Sequence, residues 1–184
     1  MKKTLIIIAV ILALAGIYGW STYNSLISQK EAATAQWQQV ETQYQRRFDL
    51  IPNLVAAVQG AMKQETAVFT ALADARAHYA GATTVNDKAA AAGEVESSLG
   101  RLLAVVENYP TLKSSDAVQN LMTQLEGTEN RVAVERQRYN DDVQGYEMSI
   151  KRFPSSVVAS MAGFTDITYF QADAGAATAP KVSF

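Results

Sequence analysis

Two carboxylates stand out because they fall among apolar neighbours at helical spacing. Glu65 follows Ile51, Leu54, Val58 and Met62, and Glu135 lies between Val132 and Tyr139. A carboxylate on such a stripe is either paired with a buried cation, here Arg46, Arg47, Arg131 or Arg138, or kept as a proton or ion site. The ion pair is the simpler reading, because it needs no further groups and can set the register between helices. A di-iron bundle would require inward carboxylates on two helices and Glu-x-x-His on two more. The single histidine is His78, with Ala75 three residues before it, so that site is absent and His78 reads as a surface residue near a helix end. The cluster Arg131, Arg136, Arg138, Asp141 and Asp142 reads as a solvated face. No glycine-rich phosphate loop, Ser-His-Asp set or zinc spacing occurs. Cysteine is absent, which excludes disulfides, thiolate metal sites and cysteine nucleophiles. The residues thus point to no catalytic group, no metal and no cofactor.

The elements that carry these residues are helical. Val118, Leu121, Leu125, Thr128, Val132, Glu135, Tyr139, Val143, Tyr146 and Ile150 recur at steps of three or four, one stripe along roughly 50 Å of helix. Ser115 or Asp116 can cap its start, and Phe153-Pro154 stops it, because the residue before proline is pushed out of helical geometry. A stripe of this length needs partner helices. Residues 22–47 supply one, with Trp37, Val40, Tyr44 and Phe48 on one side. At Asp49 the pattern resets: Asp49 is a plausible N-cap and Pro52 falls in a first turn, where its missing N–H is not needed. A second helix is expected from there to about Tyr79, and a turn over 81–87 ends in another cap candidate. A third helix covers about 88–108, with Val95, Leu99, Leu102, Val106 and Tyr109 inward. Its alanines at 89–92 fit either close helix approach or plain helix propensity. Residues 155–162 read as a capped short helix ended by Gly163, and 173–180 as flexible linker. The fold class is all-α: an N-terminal transmembrane helix, an up-down antiparallel bundle of about four long helices, a short C-terminal helix and an extended tail. The expected domains are an anchor at 1–27, the bundle at 28–165 and the tail at 166–184.

The anchor rests on residues 5–20, uncharged and strongly apolar, with Leu5, Ile8, Ile11, Leu14, Ile17 and Trp20 as its contacts to lipid. Sixteen residues make about 24 Å of helix, short of the roughly 30 Å hydrocarbon core. The uncharged residues 21–27 can carry the helix onward, and Tyr18, Trp20 and Tyr23 suit an aromatic belt. A cleaved signal peptide is the rival, since Ala13-Leu14-Ala15 is an A-x-A-like site behind a basic start. No cysteine follows the small residues, which excludes a lipoprotein. Lys2, Lys3 and the terminal amine against Lys30 place the N-terminus in the cytoplasm and the bundle outside. Net charge is −2, with no basic stripe, which argues against nucleic acid as a partner.

Several blocks, taken in order, resemble the LemA family: YNSLI (23–27), AQWQQVE (35–41), QRRFDLIPNLVAAV (45–58) and AVVENYPTLKSSD (104–116). They continue with ENRVAVERQRYNDDVQGYE (129–147), FPSSVVASMAGF (153–164), YF (169–170) and PKVSF (180–184). Met148 and Lys151-Arg152 depart from the family's more usual Asn and Thr. The resemblance implies a membrane-anchored helical bundle with no agreed enzymatic activity, whose members are found encoded near membrane proteases and other membrane proteins. Arg47, Asp49, Pro52, Asn53, Tyr139, Asn140, Phe153 and Pro154 lie in the matching blocks. They fix helix ends and inter-helix contacts, or form a surface for a partner. Val182 and Phe184 alternate in the terminal PKVSF. They fit a tail docked on its own or a neighbouring copy, or a strand offered to a receptor that captures a terminal carboxylate.

Two functions follow. The first is a non-enzymatic scaffold in the bacterial inner membrane, self-associating into a homo-oligomer and organising the bilayer or its proteins. The second is an adaptor or sensor presenting a pocket or its tail to a membrane protease or transporter.

Overall fold

The computed structural model describes residues 2–170, which are 86% helical and contain no strand. Six helices follow one another: α1 (Lys2–Gln59), α2 (Thr66–Gly81), α3 (Val85–Glu107), α4 (Pro110–Lys113), α5 (Asp116–Lys151) and α6 (Ser155–Ala162). The chain divides into two compact units. Among the described residues, one is 2–38 with Gln137–Tyr169, and the other is Gln39–Arg136 with Phe170.

α1 is the main departure from expectation. No second helix opens at Asp49, and α1 runs unbroken through Pro52 for 58 residues, about 87 Å at 1.5 Å per residue. Asp49 caps nothing there; its Oδ1 accepts a 2.7 Å bond from Gln45 Nε2, one turn back on the same helix. The reason is phase. Tyr44, Phe48, Ile51, Leu54 and Val58 stay on one stripe across the proline, and all are buried. An interior proline costs about 3 kcal/mol, whereas burying Ile51, Leu54 and Val58 returns roughly 1.5–3 kcal/mol each. Packing therefore outweighs the lost backbone bond. The helix breaks later instead, between Gln59 and Thr66, where Gly60 starts a turn that still buries Met62 completely.

α3 also begins earlier than the sequence suggests. Thr84, not the end of the 81–87 turn, is its N-cap, and Thr84 Oγ1 accepts from the Asp87 N–H at 3.1 Å. Val95, Leu99, Leu102 and Val106 face inward as expected, while Tyr109 is half-buried. On α5, Val118, Leu125, Thr128, Val132, Tyr139, Val143, Tyr146 and Ile150 are buried; Leu121 and Glu135 are half-buried. The helix ends at Lys151, before Phe153-Pro154.

Within the first unit, Leu26, Tyr146, Ile150 and Ala159 form a core, with Phe164 and Ile167 against it. Trp37 meets Tyr139 edge-to-face, ring centroids 5.3 Å apart. In the second unit Phe48 meets Tyr79 at 4.7 Å and Tyr44 meets Tyr79 at 5.6 Å. Such aromatic pairs add about 0.5–1.5 kcal/mol beyond the area they bury.

Candidate functional site

The second unit holds a polar centre that the charge pattern had hidden. Arg136 is not part of a solvated face: its side chain keeps only 20% of its exposure. It reaches Tyr44 on α1 and Glu96 on α3 from its own place on α5. Arg136 Nε donates to the Tyr44 hydroxyl at 2.8 Å, and Nη2 donates to that hydroxyl and to Glu96 Oε1, the latter at 2.6 Å. The guanidinium lies over the Phe170 ring, 4.4 Å from its centroid. Arg136 sits four residues after Val132 and three before Tyr139, so it shares the inward stripe as fully as Glu135 does. Burial holds the Glu96 carboxyl above the usual carboxylate range, against the attraction of Arg136. Burial likewise pushes the Tyr44 phenol above its ordinary value, so it remains protonated.

A pH prediction follows, with its sign set by Glu96. The folded state raises this carboxyl above its unfolded value, so folding binds the proton more tightly in the window between the two. Stability from Glu96 therefore increases as pH falls through the raised folded value, and it is lowest above that value. Comparing melts of the wild type with Glu96→Gln, the wild type is expected to gain relative stability as pH falls from neutral towards the ordinary carboxylate range. The slope stays under about 1.4 kcal/mol per pH unit.

Arg47, expected to pair with a carboxylate on the stripes, does so with a different one. Its Nη1 lies 2.5 Å from Glu129 Oε2 and donates to the Leu125 carbonyl at 3.2 Å. Of the two stripe carboxylates, Glu65 does not take the role expected of it. Glu65 is half-buried at the Met62–Thr66 turn and has no ion pair among the described residues, while Glu135 is half-buried on α5. A turn relieves Glu65 of the burial that a continuous helix would have imposed. His78 is on the surface, with Nδ1 2.9 Å from Glu94 Oε2. Among the described residues no group of three or more His, Asp or Glu side chains is placed to hold a metal ion.

In the first unit, three α5 side chains hold the segment that follows α6. Tyr146 donates its hydroxyl proton to the Thr165 carbonyl at 2.9 Å, and Tyr139 donates to the Thr168 carbonyl at 2.8 Å. Between them, Glu147 Oε1 accepts from the Ile167 N–H at 2.8 Å, while its other oxygen pairs with Lys151. Lys151 also lies 3.3 Å from Asp166. An extended segment with no strand to pair with thus has its backbone groups met by side chains. Replacing Glu147 by alanine is expected to free this segment. Leaving the Ile167 N–H unpaired costs about 1–3 kcal/mol, and hydrogen exchange at that amide should accelerate about tenfold or more.

Of the other residues singled out from the blocks, Asp49, Pro52 and Asn53 are exposed on α1, Asn140 is half-buried, and Phe153 and Pro154 are exposed before α6. Leu5, Ile8, Ile11, Leu14, Ile17 and Trp20 are all exposed on α1. That part of α1 is long and apolar enough to cross a membrane. Val182 and Phe184 lie outside the described residues.

The LemA family pattern matches residues 36–184. The chain belongs to the LemA family. Two relatives of this LemA protein are the magnetosome protein MamQ of Magnetospirillum gryphiswaldense, 29% identical over 174 residues, and magnetosome protein MamQ 2 of Paramagnetospirillum magneticum, 29% identical over 175. The matches cover 80% and 81% of this chain respectively, and 64% of each relative. The LemA chain therefore spans a little under two thirds of the length of these curated relatives. The α5 side chains that hold the segment after α6, Tyr139, Tyr146 and Glu147, all fall in the block 129–147.

Proposed function

We propose that this protein is a non-catalytic scaffold, held in the bacterial inner membrane by one span with its bundle on the periplasmic side, that self-associates to organise the bilayer or its proteins. The observation that carries the reading is α1 itself. Its first turns expose an apolar surface from Leu5 to Trp20, and the same helix continues without a break into the packed core at Leu26. The polar centres add support, because Arg136 with Glu96 and Arg47 with Glu129 are engaged with one another across helices, as structural pairs are. The relatives are by name magnetosome proteins, and belonging to an assembled body is the kind of role a scaffold has. Anchor (1–27), bundle (28–165) and tail (166–184) are its working parts.

The test is lysine-directed crosslinking of the full-length protein in native membranes, read by mass. Ladders of dimer and higher species are expected; monomer alone, with no recurring neighbour, would sink the reading. The docked residues 165–168 favour a second reading, in which the tail is presented to a membrane protease or another membrane protein. Deleting residues 173–184 separates the two: partner capture disappears under the second, and self-association persists under the first.

A further inference from the structure

The segment from Phe153 to Thr165 contains no charged residue, and α6 within it has two unlike sides. One side packs inward. Ala159 is buried against Leu26, Tyr146 and Ile150, and just beyond the helix Phe164 meets Tyr23 at 5.7 Å, ring centroid to centroid. On the other side Phe153, Val157 and Met161, four residues apart in turn, retain 83%, 49% and 84% of their exposure. Single exposed apolar residues are ordinary; a large aromatic, a valine and a methionine aligned on one face are not.

That face adjoins the span. Together with Leu14, Tyr18 and Trp20 of α1, Phe153, Val157 and Met161 line an open, mostly apolar groove of about 970 Å³. The depth of the groove follows from counting. With Lys3 at the near boundary, about 30 Å of hydrocarbon takes up some 20 residues of helix and extends to about Tyr23. Leu14 to Trp20 therefore lie inside the hydrocarbon, and an element that shares a groove with them cannot face bulk water. The apolar run of 5–20, too short alone to fill the core, is thus supplemented from the side by α6.

The backbone and hydroxyls of α6 are prepared for such surroundings. Ser155 Oγ donates to the Ser149 and Arg152 carbonyls at 2.6 and 2.8 Å, and Ser160 Oγ donates to the Val157 carbonyl at 3.0 Å. At the C-terminus Gly163 adopts φ 74°, its N–H bonds the Ser160 carbonyl and the Phe164 N–H bonds the Ala159 carbonyl. This closes the last turn on itself, so few polar groups are left to be stripped of water.

We propose that α6 and the turn before it form a second membrane contact, with Phe153, Val157 and Met161 among the acyl chains of the leaflet facing the domain and lipid filling the groove against α1. The occupant is bilayer lipid, because the groove is continuous with the surface that the span itself presents. This contact rests on the anchored reading of residues 5–20, and the experiment tells the two apart.

The chain has no cysteine, so single-cysteine variants of the full-length protein can carry an environment-sensitive fluorophore at Leu12, His78, Phe153 or Met161. In vesicles of phosphatidylethanolamine and phosphatidylglycerol, quenching by acyl-chain nitroxide is compared with quenching by aqueous iodide. Phe153→Cys and Met161→Cys are expected to follow Leu12→Cys, shielded from iodide. Their nitroxide quenching should be at least about three times that at His78→Cys, as a depth of roughly 5–10 Å implies. If both behave like His78→Cys while Leu12→Cys stays lipid-quenched, the inference fails and the anchor stands. Iodide quenching at Leu12→Cys as well would bring down the anchored reading and this contact with it. Shielding of labelled Met161→Cys from both quenchers, with the unlabelled variant oxidising to a Met161→Cys disulfide between copies, would assign the groove to a second chain and equally overturn it.

Discussion

Arg136→Met is expected to remove roughly 2–4 kcal/mol of stability, a fall of about 5–10 °C in melting temperature for a chain of this size. Methionine keeps much of the volume but leaves Glu96 and the Tyr44 hydroxyl half-buried without their donor. Glu96 is then more costly to ionise, since the attraction that offset its burial is gone. The double variant Arg136→Met with Glu96→Gln should recover part of the loss, because it removes the stranded charge along with its partner. Thermal melts of the full-length variants in detergent, followed by circular dichroism, give both numbers. Equal stability of Arg136→Met and wild type would show the centre to be decorative. Full additivity in the double variant would show Arg136 and Glu96 to be uncoupled.

Deleting residues 2–20 is expected to move the protein from the membrane pellet to the soluble fraction, resistant to no alkaline wash. The leucines, isoleucines and valine of 5–20 each favour insertion by about 0.3–0.6 kcal/mol at the centre of a span. One arginine there costs about 2.5–3.5 kcal/mol, so Ile11→Arg alone should abolish most of the insertion. Carbonate extraction of membranes from cells making each variant reads the effect. A wild-type protein that stays soluble and whose mature chain begins at Gly16 would mean that the segment is a leader. If α6 touches lipid as inferred, the deleted form keeps a weak affinity for vesicles, and Met161→Asp removes it.

The helical fold class was legible because burial leaves a period in the sequence. The α5 stripe is the clearest case: Val118, Leu125, Val132, Tyr139, Val143 and Tyr146 are buried where spacing puts them. Spacing is less decisive where a stripe can step by three or by four. From Val132 the three-residue step reaches Glu135 and the four-residue step reaches Arg136; both lie near the seam, and it is the partners Tyr44 on α1 and Glu96 on α3 that make Arg136 the centre of a cross-helix cluster. Val143 poses the same choice between Tyr146 and Glu147, and here both are buried. Pro52 misled for a related reason. Local chemistry at RRFDLIPNL favours a helix start, but the cost of an interior proline is smaller than the burial gained by keeping Ile51, Leu54 and Val58 in phase with Tyr44 and Phe48. Neither Glu147 nor Tyr146 signals in sequence that its partner is the backbone about twenty residues onward, since a carbonyl has no residue type.

The unbroken course of α1 has a mechanical corollary. From the apolar start to Gln38 the helix is continuous and contains no proline. Once the span is seated in a bilayer, its tilt is set by the mismatch between its length and the local thickness. In a thicker membrane the rod stands more upright, and in a thinner one it leans. Under the anchored reading, the unbroken helix beyond the span carries that tilt on towards Gln38, so α1 would report the thickness of the sheet in which it stands.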